Sequence, residues 1–154
     1  MSADLALDGD DLAGVVDLFG ALTREELDRA LAELAFKHDA DAPDDEVVET
    51  ALERYELVDH DGLLVVGPAA FPTLPEGAAD LPHILDVPPR TPDTEAVART
   101  AEERFRAEAA RALAADPSGE ELARLVDASY DIEAWGPVDL GEVRRRLDAA
   151  RDEQ

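Results

Sequence analysis

The residues best suited to chemistry in this chain are three histidines, His38, His60 and His83, set among 38 carboxylates. His38-Asp39 and Asp59-His60-Asp61 could each offer an imidazole and a carboxylate to a metal ion. Neither has the His-x3-His or His-Glu-x-x-His spacing that sets two ligands on one helical face. With carboxylates this dense, an Asp beside a His is expected by chance, so the histidines read as solvated loop residues. Acid–base pairs need environments that drive two pKa values apart, and no pair here is marked by such an environment. Of the three serines, Ser118 sits where a helix cap is needed, and Ser2 and Ser129 lack a nucleophile motif. No Gly-x-Ser-x-Gly, P-loop or Gly-x-Gly-x-x-Gly is present, and without cysteine there is neither thiolate nor disulfide. The expectation is a non-enzymatic protein with no catalytic, metal or cofactor-binding residues.

Two other kinds of residue could make contacts. Arg24, Arg29, Arg54 and Arg90 are the arginines of the first 91 residues, and only together could they form a DNA-facing surface. They stand against 22 acids in that stretch, which with Lys37 leaves a net charge of −17. Phosphate contact needs an excess of cations, so direct DNA binding is disfavoured. Arg144-Arg145-Arg146 looks basic, but consecutive helical side chains fan out and cannot share a face. Pairing with Glu142, Asp148 and Asp152 at helical spacings is the expectation for them. Among the aromatic residues, Phe71 lies in a proline-rich stretch and Trp135, the only tryptophan, in a connector before Gly136-Pro137. Each could anchor a protein partner or fold its segment back onto a core.

These residues must be positioned by elements that the apolar spacing predicts. Leu12, Val15, Val16 and Phe19 fall at i, i+3, i+4, i+7, one stripe of a helix from Asp10 to Gly20. Thr23 and Glu26 form a capping box that opens a second helix, burying Leu27, Ala30, Leu31, Leu34 and Ala35 and ending near His38. A third starts at Pro43 or Asp44 and turns Val47, Val48, Ala51, Leu52 and Tyr55 inward. The period then changes: Leu57–Val66 holds Asp61-Gly62 between two short apolar runs, a β-hairpin. Gly67–Pro92 carries seven of the ten prolines, so a long regular element is excluded. Phe71, Leu74, Leu81, Ile84, Leu85 and Val87 make it too apolar for a free linker. It should cross the module's surface with one helical turn near Leu81–Leu85.

The remainder is helical. Thr91-Pro92 supplies an N-cap and N1 proline for a helix in which Val97, Ala101, Phe105, Ala109 and Leu113 recur every four residues. Ser118 with Glu121 opens another helix with Leu122, Leu125 and Val126 inside, and Asp139 with Glu142 is a third such start, ahead of Leu140, Val143, Leu147 and Ala150. The fold class is therefore mainly α with a β-hairpin. A winged-helix-like module spans residues 1–66, a proline-rich crossing loop 67–91, and a helical segment packed on the module 92–154.

Composition sets the surroundings. Thirty-eight acids against fourteen bases give −24, and lysine occurs once, at Lys37. Such a surface repels itself at ordinary ionic strength; at 1 M salt the Debye length falls to about 3 Å and the repulsion is screened. Acids spread along the whole chain, arginine in place of lysine and a small-residue apolar set fit a halophilic protein. The acidic opening Met1-Ser2-Ala3-Asp4-Leu5 lacks the basic start of a signal peptide, so a cytoplasmic location is expected, with no membrane association.

The run from Asp11-Leu12-Ala13-Gly14-Val15-Val16-Asp17 through Leu18-Phe19-Gly20-Ala21-Leu22 to Thr23-Arg24-Glu25-Glu26-Leu27 resembles the opening of a haloarchaeal family of unknown function. The similarity continues through the hairpin and the proline-rich loop, and carries no assigned activity or site. By element order, Asp10–Val66 also resembles winged-helix proteins, but with an acidic third helix where those carry a basic one. The leading expectation is a protein-interaction or accessory factor. A DNA-binding regulator adapted to high salt and an enzyme of unrecognised type are the alternatives.

Overall fold

A computed structural model describes residues 3–153 and divides the chain into two compact units, Met1–Pro92 and Asp93–Gln154. The first unit opens with α1 (Gly9–Phe19), whose stripe of Leu12, Val15, Val16 and Phe19 is buried. The helix starts one residue before the expected Asp10 because Asp8 caps it. Asp8 accepts from the Asp11 N–H, and Asp11 accepts from the Asp8 N–H in return. This is a capping box made of two aspartates in place of the usual Ser/Thr and Glu/Gln.

Thr23 and Glu26 form the predicted box at the start of α2 (Arg24–Lys37). The two residues before it, Leu22–Thr23, form a short strand β1 that the sequence did not announce. After α3 (Asp45–Glu53), capped by Asp44, the hairpin β2 (Leu57–His60) and β3 (Leu63–Val66) turns at Asp61 and Gly62. Both turn residues have positive φ, 53° and 86°, as a two-residue hairpin turn matched to strand twist requires. Strand β1 adds antiparallel to β3, giving the order β1-β3-β2. The molecule is thus mainly helical with a small three-stranded antiparallel sheet, and the order α1-β1-α2-α3-β2-β3 is compatible with a winged-helix-like module.

Tyr55 does not extend the inner face of α3 as expected; it lies past the helix end with φ 61°. Its N–H donates to Leu52 O and the Glu56 N–H to Ala51 O, the Schellman pattern with tyrosine where glycine is usual. An aromatic side chain in left-handed backbone costs about 1–2 kcal/mol. Here the ring is fully buried and holds the strained turn in place.

The proline-rich stretch is fastened along α1. The Ala69 N–H donates to Tyr55 O, Thr73 N–H to Asp10 O, and Arg90 N–H to Phe19 O. Ala78, Leu81 and Val87 enter the same core as α1, and α4 (Leu81–Ile84) is the expected helical turn. Glycine makes the close approach feasible: a Cβ on Gly14 would collide with the Thr73 carbonyl, and one on Gly20 with that of Arg90.

The second unit packs α5 (Thr94–Ala114), α6 (Gly119–Trp135) and α7 (Gly141–Asp152) on one another. Helix α5 starts after Asp93, which accepts from the Glu95 and Ala96 N–H groups, and not after Thr91. Val97, Ala101, Phe105 and Ala109 are buried, but Ala112 replaces Leu113 at the centre of the face. A four-residue repeat outruns the 3.6-residue turn and drifts off the face by its fifth member. Ser118 caps α6 as expected, with Leu122, Leu125 and Val126 buried. The predicted Asp139–Glu142 box is not formed: α7 begins after Leu140, whose N–H donates to Glu133, while Asp139 accepts from Gly141. Among the described residues no helix is long and apolar enough to cross a membrane.

Candidate partner-binding surface

Three hydrogen bonds fix the loop around Phe71 on the first turn of α1. The Phe71 N–H donates to Asp10 Oδ1 at 2.9 Å, the Thr73 N–H to Asp10 O at 3.0 Å, and Thr73 Oγ1 to Asp11 Oδ1 at 2.7 Å. The backbone is held, yet the Phe71 ring is 80% exposed and Leu74, three residues on, 51% exposed. Anchored backbone beneath solvated apolar side chains is the pattern of a preformed contact surface, because ordering entropy is already spent on folding.

The same turn of α1 borders a cleft of about 320 Å³, lined by Leu7, Asp8, Gly9, Asp44, Glu46, Val47, Thr50, Arg54 and Glu56. Glu56 follows the strained Tyr55 turn, and its side chain is only 11% exposed. Its carboxylate occupies the space that a Cβ on Gly9 would take. Burial raises the Glu56 pKa above the ordinary carboxylate value; Arg54 opposes the shift, and Asp10 and Asp8 add to it. Arg54 Nε is 3.9 Å from Glu56 Oε1, beyond hydrogen-bond range, and the Arg54 side chain is itself mostly exposed.

The four arginines weighed as a DNA-facing set are not assembled into one face. Arg24 reaches from α2 to Asp45 and Glu49 of α3 and lies 3.5 Å from Asp28, joining the two helices. Arg90 forms a two-pronged pair with Glu26, at 2.6 and 3.1 Å, and also donates to Ala21 O. That pair, reinforced by the Thr23 N–H and hydroxyl, lowers the Glu26 pKa to about 2. Arg54 faces Glu56, and Arg29 is exposed on α2.

Trp135 is half-buried and belongs to the last turn of α6, not to the connector where its sequence context placed it. The helix runs on through Ile132, a buried α6 residue, and stops only at Gly136. Arg144 likewise does not use the carboxylates of its own helix. It pairs with Glu133 of α6 at 2.6 Å, donates to the buried Ser129 hydroxyl and stacks over Tyr130 with 4.0 Å to the ring centroid. This lowers the Glu133 pKa, first through the Arg144 hydrogen bond. Asp148 pairs with Arg151 instead.

His38 Nε2 lies 2.6 Å from Glu76 O, His60 lies 3.7 Å from Asp61, and His83 is exposed on α4; the 320 Å³ cleft contains none of them. Among the described residues no three His, Asp or Glu side chains converge as a metal site. Three features escaped the sequence reading. Phe36 is 81% exposed at the end of α2, and its position off the Leu27–Ala35 stripe was a usable signal. Leu74 belongs to the apolar set expected to hold the loop across the module's surface, yet it is half exposed. Glu56 had no signal, since its burial depends on a turn with an unusual residue in left-handed backbone.

Residues 10–152 match the family described as Family of unknown function (DUF7109). No curated protein and no solved structure matches the chain.

Proposed function

The chain belongs to the DUF7109 family of unknown function, and we propose that it works there as a non-enzymatic protein-interaction factor, accessory to another process. The observation that carries this reading is the Phe71 ring, solvated on a backbone pinned to α1 by Asp10 and Asp11. Water-exposed apolar area gains free energy on being covered, at roughly 25 cal/mol per Å². A loop that needs no further ordering retains more of that gain on binding. Leu74 extends the apolar surface along the same loop.

We further propose that the protein works in the cytoplasm of a halophilic, haloarchaeal cell, on the strength of its −24 charge and single lysine. High salt weakens long-range charge steering, so affinity there rests on apolar contact and on charge pairs that are partly buried and screened less. The alternative of direct DNA reading draws on the winged-helix-compatible order alone. Against it, α3 presents Asp45, Glu46, Glu49 and Glu53 to solvent, and Arg24 and Arg90 are engaged by carboxylates.

The test is capture of the tagged chain from a halophilic lysate in multimolar KCl, with nuclease, beside a Phe71→Asp, Leu74→Ser variant. A partner held by the wild type and lost by the variant, at unchanged melting temperature, is the expected result. Equal recovery on both overturns the assignment of this surface. Specific DNA recovered without a bridging protein overturns the reading.

A further inference from the structure

We infer that the cleft between α3 and the first turn of α1 receives a cationic side chain, an arginine guanidinium, from a basic and apolar segment of the protein partner. The inference deepens the protein-interaction reading and rests on it for the source of the cation.

Two features converge on this cleft. Tyr55 is held in left-handed backbone, and the next residue, Glu56, sets a mostly buried side chain, 11% exposed, in the cleft wall. The cation facing that carboxylate, Arg54 Nε, stands 3.9 Å away on an exposed side chain, so Glu56 is poorly compensated for its lost hydration. Burial of the Tyr55 ring and the cap it closes on α3 offset the backbone strain but leave the Glu56 carboxylate without a close cation, and strained backbone beside a poorly paired charge is a feature of ligand clamps. Gly9 supports the same arrangement, because any larger residue there would displace the carboxylate.

Charge decides the occupant. Asp8, Asp44 and Glu46 stand with Glu56 around the opening against Arg54 alone, while Leu7 and Val47 supply apolar wall. That lining suits the flat, weakly hydrated guanidinium and the aliphatic stem behind it. At about 320 Å³ the cleft is at the small end of ligand sites, which run from roughly 300 to 1,000 Å³. A second copy of this chain is a poor occupant, since it brings another −24 to the contact. Asp10, one residue past the cleft-lining Gly9, receives the Phe71 N–H, so a segment with one arginine and a nearby apolar residue would engage both features.

N-acetyl-arginine amide is the probe, with N-acetyl-norleucine amide as its uncharged control, titrated into the whole chain at one fixed high KCl concentration. Backbone amide NMR shifts are the readout. The expected result is a saturable response confined to Gly9, Glu46, Thr50 and Glu56, absent with norleucine. Glu56→Gln should weaken it at least about tenfold, the loss of one charge-assisted hydrogen bond. Thr50 is exposed, so Thr50→Trp should block the cleft and leave the core untouched. Shifts that do not saturate, that norleucine reproduces, or that both variants leave unchanged overturn the inference. The capture experiment with Phe71 and Leu74 replaced bears only on the protein-interaction reading, so the two can fail separately.

Discussion

Replacing Glu26 with glutamine isolates the charge of the pair that ties the end of the proline-rich loop to α2. The substituted amide can still accept from the Thr23 N–H, so the capping box survives while the ion pair with Arg90 is lost. The Glu26 pKa is lowered from 4.5 to about 2, first by the Arg90 hydrogen bond and then, against a desolvation penalty, by Thr23. At 1.36 kcal/mol per unit that is about 3 kcal/mol favouring the ionised form in the folded state, an upper bound on the loss. Arg90 contributes most, so a double-mutant cycle of Glu26→Gln with Arg90→Met should return about 2 kcal/mol of coupling. Urea unfolding in 2 M KCl is the assay, because guanidinium would itself act as salt. Both partners are partly buried, so screening should spare part of this coupling, whereas the exposed Arg99–Glu95 pair should show almost none. The sign in pH follows from a depressed carboxylate. Its stability is present above pH 4.5 and lost as pH falls toward 2, so wild type and Glu26→Gln should converge over that window. Coupling below about 0.5 kcal/mol, the error of such cycles, or a difference that persists at pH 2, would refute the reasoning.

Three further outcomes are expected. Gly14→Ala should gain helix propensity in α1 yet destabilise the protein by roughly 1–3 kcal/mol, as overpacking does, since its Cβ meets the Thr73 carbonyl. Amide exchange should quicken in the loop around Phe71 and Thr73, and unchanged exchange would contradict the packing described. Glu56→Gln should leave stability unchanged or raised at pH 7, because the Glu56 pKa is raised by burial; stability from that group falls as pH rises past 4.5 through its folded value. A large drop in melting temperature would show instead that the carboxylate is a structural partner. Lowering KCl from 2 M to 0.1 M lengthens screening from a few Å to about 10 Å, so a chain of −24 should lose melting temperature progressively. A flat series by circular dichroism would remove the basis for the high-salt reading.

By itself the sequence determined what depends on neighbours within about a turn. The stripes of α1, α2 and α6, the Thr23–Glu26 and Ser118–Glu121 caps and the Asp61-Gly62 hairpin all follow from periodicity and local backbone preference. The net charge, the proline-rich break and the lack of a recognised catalytic motif were equally plain. Tertiary structure decided everything that required two distant segments to meet. Strand β1 exists because β3 offers Leu22 and Thr23 a pairing edge. Arg90 of the loop and Arg144 of α7 pair with carboxylates 64 and 11 residues away, and Arg24 adds Glu49, 25 residues away, to Asp28 on its own helix. Helix α7 begins late because Glu133 of α6 takes the Leu140 N–H that a local cap would have left free. Phe71 is exposed because its backbone is claimed by Asp10, and Glu56 is buried because Tyr55 turns the chain inward. Long side chains and loop amides can be satisfied in many ways along a sequence, and only the packed core selects one.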